Sequence, residues 1–255
     1  MPAPPTLETQ GLTIRFGGHV AVDAVSCAFE RGTLAAIVGP NGAGKTTYFN
    51  LISGQLAATA GTVRLFGEDV TRMGAPRRAQ RGIGRAFQLT QLFPNLTVME
   101  NVRLAVQSRA RVGLHLLSLW SRHVELIEKA EHYLERVALA DKRDAPAAAL
   151  AHGEQRKLEV AILLALEPQV LMFDEPTAGM SMDEVPVILE LIQQIKDQGD
   201  RTVLLVEHRL EVVRSLADRI MVLNDGALVA DGDPATVMSS DIVRQAYLGT
   251  GSDDA

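Results

Sequence analysis

The sequence predicts an α/β protein whose core carries an antiparallel β subdomain and an inserted α-helical subdomain. Three runs, at 34–38, 170–173 and 202–206, are apolar except for Thr202 and are typical of strands that a parallel sheet buries on both faces. The first third of the chain alternates as antiparallel strands do, whereas apolar residues between 96 and 137 recur at helical spacing. Because this helical stretch interrupts the α/β pattern, we expect a subdomain inserted into one core.

The antiparallel part opens the chain. We expect strands at 12–16 and 21–29, separated by a pair of glycines, and a further short strand at 62–67. Between them, the buried strand 34–38 ends in a glycine-rich loop, and a helix is expected from about Lys45.

The α/β pattern returns after residue 149. Helices are expected beside the later buried strands, at 154–166, 183–197 and 209–217. The stretch 220–232 predicts a β-hairpin, because the turn sequence Asn-Asp-Gly separates two strand-like runs. The last seven residues have the composition of a disordered tail.

The domain organisation follows from these elements, since no linker is rich enough in Gly, Pro or Ser to separate independent domains. We expect a single domain over 1–255. Its core, which includes the β subdomain, takes 1–88 and 150–237. The helical subdomain takes 89–149, and a C-terminal helix with the tail takes 238–255.

The composition argues against some classes of function. A net charge of −6 and an aromatic content of 4% do not suit a surface that binds nucleic acid, so we expect no nucleic-acid partner. The locally basic stretch 72–85 is interpreted as a solvated helix face rather than as a nucleic-acid contact. The single cysteine, Cys27, excludes an intrachain disulfide and suits a reducing compartment.

The sequence gives no sign of a targeting or membrane-spanning segment. The N-terminus lacks a charged region followed by an apolar stretch, which a signal peptide needs. The apolar segment 112–120 is much shorter than the roughly 20 residues of a membrane span. We therefore expect a cytoplasmic protein that touches a membrane only through a partner.

The stretch GPNGAGKTT, residues 39–47, matches the pattern G-x-x-x-x-G-K-[ST] between a buried strand and a helix, which predicts a phosphate-binding P-loop. Its glycines let backbone N–H groups wrap phosphates. Lys45 supplies a charge to the outer phosphates, and the Thr46 hydroxyl can ligate Mg²⁺. The residues predicted to bind the nucleotide are Gly39, Pro40, Asn41, Gly42, Ala43, Gly44, Lys45, Thr46 and Thr47.

Polar residues follow two other buried strands. Asp174 and Glu175 end the run VLMFDE, at the sheet edge where α/β proteins bind ligands. Asp174 can hold Mg²⁺, and Glu175 can polarise an attacking water. His208 comes shortly after the strand 202–206 and is a third candidate. The structural alternatives are a solvated acidic turn and an ordinary exposed histidine.

A second helix start is suited to an anion. In the stretch LAHGEQRKLEVA, residues 150–161, a Gly, a Glu and a Gln open the helix predicted at 154–166. The first N–H groups of a helix have no partner within it and can bind a phosphate. A chain that already has a P-loop has no evident need for this second site.

Taken in order, the P-loop, the pair Phe87-Gln88, LAHGEQ, DEP and EH resemble the motifs of the nucleotide-binding subunit of ABC transporters. The resemblance runs from about Leu7 to Gly249, and this set of motifs is far more specific than a P-loop alone. It implies an ABC ATPase core of the P-loop NTPase type, with ATP and Mg²⁺ as cofactors.

The resemblance also implies roles for individual residues. Phe16 would stack on adenine. Gln88 would reach the Mg²⁺ and the attacking water, and it would sense the membrane partner. Glu175 would be the general base, and His208 would contact the γ-phosphate.

The resemblance implies a function for the second helix start. In ABC ATPases two subunits face each other head to tail, and each signature segment caps the ATP that the other subunit's P-loop holds. Such a segment would stabilise the γ-phosphate only while it is attached. The residues that would serve a partner's ATP in this way are Ala151, His152, Gly153 and Glu154.

This signature departs from the common pattern L-S-G-G-Q. Ala151 replaces the serine, His152 the first glycine and Glu154 the glutamine, whereas Gly153 keeps the position where the backbone must come close. Ser181 stands where the family usually has an aspartate. His152 is interpreted as a tolerated surface side chain, and the alternative is a hydrogen-bond donor that compensates for the missing serine.

Within this family, GIGRAFQLTQLFPNLTVMENV, LAHGEQRKLEVA, EPTAGMS and the ending QAYLG resemble importers of branched-chain amino acids, or of other hydrophobic amino acids, amides, urea or aromatic acids. The resemblance implies a second ATPase subunit, usually a different chain, two transmembrane permease subunits and a periplasmic solute-binding protein. It implies a peripheral location on the cytoplasmic side of the inner membrane.

Two alternatives stay open. The lipopolysaccharide-export ATPase shares features such as RRGIG and YLG, but its signature usually keeps the serine and both glycines. A soluble ABC ATPase of DNA repair or translation usually carries a coiled-coil insertion or two cassettes, and this chain has neither.

Overall fold

The computed structural model of the 255-residue chain describes residues 4–86, 92–110 and 124–240. In chain order its strands are β1 (Leu7–Phe16), β2 (His19–Phe29), β3 (Leu34–Val38), β4 (Ala60–Leu65), β5 (Glu68–Asp69), β6 (Ile83–Ala86), β7 (Val170–Asp174), β8 (Thr202–Val206), β9 (Arg219–Asn224) and β10 (Ala227–Gly232). Its α-helices are α1 (Lys45–Ser53), α2 (Ala75–Arg81), α3 (Val98–Ala110), α4 (Val124–Arg136), α5 (His152–Ala165), α6 (Val185–Asp197), α7 (Leu210–Leu216) and α8 (Pro234–Ser239).

The first part of the chain forms an antiparallel sheet with the strand order β2-β1-β4-β5. Both strands of the predicted hairpin are confirmed, but β1 begins at Leu7 rather than at residue 12. Thr9 explains the difference, because its buried hydroxyl bonds to the Tyr48 hydroxyl (2.8 Å) and accepts from the Cys27 amide (3.1 Å). A polar residue thus faces the core where simple alternation predicts an apolar one.

The second sheet has the strand order β10-β9-β3-β8-β7-β6. Its strands are parallel except β10, which pairs antiparallel with β9 and confirms the predicted hairpin. The three apolar runs are β3, β7 and β8, and every residue of these strands is buried. Because parallel strands end at the same edge, the segments that follow β3, β8 and β7 lie side by side.

Different layers cover the two faces of this parallel sheet. On β3, Ala35 and Ile37 pack into a core shared with α1 and the antiparallel sheet. Ala36 and Val38 face the other way and pack with residues of β9, α7 and α8. The larger part of that second face is covered by a cluster that joins α3, α4, α5 and α6 to β7 and β8.

The helical stretch predicted between 96 and 137 is confirmed as α3 and α4, as far as the structure describes it. These two helices pack on each other and on α5, and α5 also contacts β6. The side chains of Val102, Leu134 and Leu158 are fully buried in this layer. The division into subdomains at residues 89 and 149 stays a prediction, because α5 bridges both parts.

The predicted helices of the second half are confirmed, with small shifts at their ends. α5 begins at His152 instead of 154, and α6 begins at Val185 instead of 183. A short helix, α8, begins after Asp233, whose side chain accepts from two amide N–H groups of its first turn. The rest of the expected C-terminal helix and tail, 241–255, lies outside the described residues.

None of the helices in the described chain has both the length and the apolar character that crossing a membrane requires.

A buried arginine fastens the end of α1. Arg78 on α2 is 2% exposed. Its guanidinium donates to the carbonyls of Leu51 (2.6 Å) and Ile52 (2.7 Å) near the end of α1, and to those of Thr71 (2.8 Å) and Met73 (2.8 Å). Burial lowers the pKa of Arg78 to about 10, so the group stays charged at neutral pH. The interpretation of 72–85 as a solvated face is therefore wrong for this residue.

We predict that Arg78→Met lowers the free energy of unfolding by about 2–4 kcal/mol, because four carbonyls lose a charged donor inside the protein. The matched control is Arg77→Met, since Arg77 is the exposed neighbour on the same helix and its loss should cost no more than about 0.5 kcal/mol. Urea unfolding of both variants measures the difference. Equal losses would show that the buried guanidinium does not fasten α1.

Candidate functional site

The loop after β3 is shaped by glycines that no other residue could replace without strain. Gly39 has φ = 149°, and a Cβ there would lie 2.1 Å from the Leu223 carbonyl oxygen. Gly44 has φ = 92°, and a Cβ there would lie 2.3 Å from the Ala21 carbonyl oxygen. The loop is thus packed tightly against β2 and β9, and it leads directly into α1.

The start of α1 favours negative charge. Gly44 caps this helix without a side chain, and its first turn contains no acidic residue. The positive end of the helix dipole and the first N–H groups therefore face the loop without a competing carboxylate from the helix itself.

Lys45 is held inside this loop. It is 6% exposed, and its ammonium donates to the carbonyls of Gly39 (2.7 Å) and Pro40 (2.8 Å). Burial lowers the pKa of Lys45, and the nearby charges of Glu175 and Asp174 oppose that change. Both carboxylates therefore lie close enough to act on the lysine.

One cleft joins the loop to residues from distant parts of the sequence. It has a cavity volume of about 260 Å³ and is lined by His19, Ala21, Asn41, Gly42, Ala43, Gly44, Lys45, Thr46, Thr47, Glu175 and His208. Seven of the nine residues predicted to bind the nucleotide are among these, together with two of the predicted catalytic residues. Sequence reasoning did not single out His19 and Ala21, which reach the cleft from β2.

Glu175 and His208 come together at the ends of β7 and β8. Glu175 has the left-handed conformation, φ = 51°, and its amide N–H donates to the Val206 carbonyl (2.9 Å). Its Oε1 lies 2.6 Å from Nε2 of His208. Both side chains are partly exposed, at 37% and 40%, so water and a ligand can reach them.

Asp174, the last residue of β7, forms a buried ion pair that the sequence did not reveal. Its side chain is 3% exposed, and its Oδ2 accepts from Nη2 of Arg85 on β6 (2.5 Å). Nη1 of Arg85 also donates to the Asn50 side chain (2.5 Å). Burial raises the pKa of Asp174, and the hydrogen bond and charge of Arg85 oppose this rise. The sequence feature that could have indicated this pair is the arginine within the otherwise apolar run of β6.

The oxygen atoms near the loop fit a magnesium ion. Thr46 lines the cleft and offers a hydroxyl, and Asp174 offers a carboxylate whose charge is felt at Lys45. Within the described ranges, no group of three or more His, Cys, Asp or Glu side chains forms a complete metal cage. One hydroxyl and one carboxylate suit Mg²⁺, which is commonly held by one or two carboxylates and the phosphates of a substrate.

The carboxylate of Glu184, in the same chain, accepts a hydrogen bond from the start of α5. The amide N–H of Gly153 donates to Oε1 of Glu184 (3.0 Å), and Oε2 of Glu184 accepts from the amide (3.2 Å) and hydroxyl (3.1 Å) of Ser181. These bonds to Ser181, and then that to Gly153, lower the pKa of Glu184. A Cβ at Gly153 would lie 2.5 Å from the same Oε1. The missing Cβ leaves room for this intrachain contact, which the sequence argument about a partner's phosphate did not include.

The other residues of this segment are placed differently. Ala151 precedes the helix and donates its amide N–H to Oε2 of Glu154 (3.1 Å). Glu154 also forms an ion pair with Lys142, which lowers the pKa of Glu154. His152 is exposed, which agrees with its interpretation as a surface side chain. Glu154 is thus engaged within its own chain.

Phe16 ends β1 with half of its surface exposed and is not among the cleft-lining residues. Gln88 lies outside the described residues.

Comparison with known proteins gives one family. The family model described as "ABC transporter" matches residues 22–178. The high-affinity branched-chain amino acid transport ATP-binding protein BraF of Pseudomonas aeruginosa is 39% identical, over 96% of this chain and 98% of its own. The protein LivG of Escherichia coli K12, which has the same description, is 36% identical over the same shares of the two chains.

Solved structures of ABC transporter cassettes are also similar to this chain. The ADP conformation of an ATP-binding cassette of an ABC transporter superposes with a TM-score of 0.82 at 31% identity, over 96% of this chain and 98% of that one. A nucleotide-free ATP-binding cassette from an ABC transporter gives 0.81 at 30% identity, over 95% and 98%.

We predict that Arg85→Gln lowers the free energy of unfolding by about 3 kcal/mol, because it leaves the buried carboxylate of Asp174 without its cation. The control is Arg81→Gln, which breaks a pair with Glu68 whose side chains are about half exposed and should cost no more than about 1 kcal/mol. Thermal and urea unfolding compare them. If Asp174→Asn in the Arg85→Gln background restores no stability, the ion pair is not the cause.

Proposed function

We propose that this chain, which belongs to the ABC transporter family and is an ATPase, drives an importer of branched-chain or other hydrophobic amino acids or of related small polar solutes. The observation that carries the mechanism is the cleft in which the P-loop, Glu175 and His208 meet. The similarity to BraF and LivG, over almost the full length of both chains, supports the class of substrate.

The P-loop is the proposed ATP site. Its backbone N–H groups and the start of α1 would surround the phosphates, and Lys45 would exchange its bonds to two loop carbonyls for the outer phosphates. Phe16, exposed at the end of β1, is proposed to stack on the adenine ring.

A magnesium ion is the proposed second cofactor. Thr46 and Asp174 would hold it, with Gln88 as a further ligand proposed from the family resemblance. When bound, the ion supplies positive charge that stabilises the phosphate oxygens during transfer. Arg85 would keep the Asp174 carboxylate in place through their buried ion pair.

Hydrolysis is proposed to use Glu175 as general base. Its carboxylate would take a proton from the attacking water, and it is exposed enough for water to reach it. His208 can hold this carboxylate through the 2.6 Å contact and can also reach a γ-phosphate in the same cleft.

Pairing with a second ATPase subunit is proposed to complete the site. The partner, which we expect to be a different chain, would face this one head to tail, so that the start of α5 meets the partner's nucleotide. Glu184 would have to leave Gly153 before a phosphate binds there, because both need the Gly153 N–H group. The complex would include two permease subunits and a periplasmic binding protein, with this chain peripheral on the cytoplasmic side of the inner membrane.

The test of the function is reconstitution. The chain is purified with its permeases, its second ATPase and the binding protein, and uptake of labelled leucine into liposomes is measured with and without ATP. The proposal expects uptake that needs ATP and the binding protein. ATP hydrolysis without uptake of any amino acid or amide would contradict the substrate class, and it would leave the ATPase assignment intact.

We predict that Glu175→Gln keeps ATP binding but slows hydrolysis by roughly 10²- to 10⁴-fold, the usual loss when a general base is removed. Lys45→Ala should instead lose tight ATP binding, since it removes the charge on the outer phosphates. Glu190→Gln, which neutralises an exposed carboxylate on α6, is the control and should change neither quantity. Normal turnover in Glu175→Gln would remove this residue from the mechanism.

We predict that Gly153→Asp leaves ATP binding by the isolated chain unchanged and reduces hydrolysis at the partner's P-loop at least about tenfold, because it places a negative charge where a phosphate must approach. The substitution also displaces Glu184, so Glu184→Ala is the matched variant. It frees the helix start without adding charge and should keep hydrolysis at the partner's site.

ATP titration of the isolated variants and ATPase assays of the assembled complex separate the outcomes. If Gly153→Asp weakens ATP binding while the fold is intact, the segment acts on its own chain's nucleotide. If Glu184→Ala loses as much hydrolysis as Gly153→Asp, the loss arises from the displaced Glu184 contact and not from repulsion of a phosphate.

A further inference from the structure

A buried carboxylate lies directly behind the Glu175–His208 pair. Glu207 is 3% exposed. Its Oε2 accepts from the amide N–H groups of His208 (2.8 Å) and Arg209 (3.2 Å). Its Oε1 accepts from the hydroxyl of Thr177, which is itself 5% exposed. The carboxylate therefore connects the segment after β8 with the segment after β7.

These contacts make the carboxylate tolerable inside the protein. Burying an ionised carboxylate without partners is very unfavourable, and each hydrogen bond from a donor to the charged form offsets part of that cost. Glu207 receives three such bonds, two from backbone amides and one from a hydroxyl. If one donor is removed, only two hydrogen bonds remain to stabilise the Glu207 carboxylate. We therefore expect the positions of the groups around it to shift.

The position of the cluster ties it to the two reacting residues. Glu175 comes two residues before Thr177, and its amide is bonded to the end of β8 at Val206. His208 comes directly after Glu207, whose carboxylate fixes the direction of the His208 amide. The chain is thus anchored at, or within two residues of, both Glu175 and His208. The side chains of these two residues meet at 2.6 Å.

We propose that Glu207 is a positioning residue for ATP hydrolysis, with Thr177 as its partner. The pair holds the segments after β7 and β8 at a fixed spacing, and thereby keeps the His208 ring against the Glu175 carboxylate. This inference rests on the proposed roles of Glu175 and His208. It differs from them because neither Glu207 nor Thr177 lines the nucleotide cleft.

The position of the pair predicts a specific kinetic signature. The contacts that hold Lys45 and the loop involve neither residue, so ATP binding should not depend on them. The spacing of Glu175 and His208 matters for the chemical step, and misplacement of a general base lowers kcat. A fault in the cluster should therefore lower kcat at an almost constant KM for ATP.

The experiment compares three threonine variants in the assembled transporter. Thr177→Val keeps the shape of the side chain and removes the donor, and it should lower kcat roughly tenfold, the size expected for one hydrogen bond to a charged group. Thr177→Ser restores the donor and should lie within about twofold of the unaltered protein. KM for ATP should stay within about twofold in both.

The matched control is Thr202→Val. Thr202 is fully buried at the start of β8, at the end of this strand away from Glu207. Its hydroxyl donates to the Glu30 carbonyl (2.9 Å). Its loss should lower the melting temperature in the same way as Thr177→Val but should leave kcat unchanged. Equal effects of the two variants on kcat would overturn the proposal, since the hydroxyl of Thr177 would then contribute only to stability.

Glu207→Met keeps the test decisive if Thr177→Val does not fold. It keeps a side chain of similar length and removes both acceptor oxygens, and it should lower kcat more than Thr177→Ser does. An unchanged kcat in a folded Glu207→Met protein would overturn the inference. Failure of the proposed function is recognised separately: Glu175→Gln and His208→Ala would then turn over ATP normally, and both proposals would fall together.

Discussion

The shared edge of three parallel strands is the constraint on which the site depends. β8 lies between β3 and β7, and the residues of all three are buried. Their apolar side chains fix the register, since a slip by one residue would exchange the two faces of the sheet. The P-loop, Glu175 and His208 follow the ends of these strands, so their mutual distances are set by core packing and not by the loops themselves.

Charge at this edge is balanced locally, by groups from different elements. Loop carbonyls hold the ammonium of Lys45, Arg85 on β6 pairs with Asp174 on β7, and amides and a hydroxyl surround Glu207. The Arg85–Asp174 pair and the Thr177–Glu207 bond each join two segments that are distant in the sequence. The free-energy cost of burying these charges is offset only when the segments are correctly placed. We therefore expect the cleft to form together with the folded core.

Sequence patterns predicted the strands and the loop because both are local signals. The runs at β3, β7 and β8 are apolar except for Asp174 and Thr202 at strand ends, and the P-loop pattern lies within nine residues. The partners of the charged groups were beyond such reasoning. Arg85 and Asp174 are 89 positions apart, and Thr177 and Glu207 are 30 apart. Their contacts depend on which strands become neighbours, and an arginine in an apolar strand was the only hint.

Gly153 shows how one residue can satisfy two requirements that a sequence cannot separate. Within the chain, the missing Cβ makes room for Glu184, whose carboxylate occupies the positive end of α5 and also binds Ser181. In the proposed pair of subunits, the same open space would admit a phosphate. Both anions would need the Gly153 N–H, so only one could bind at a time. In the proposed pair, the start of α5 would therefore exchange one anion for another.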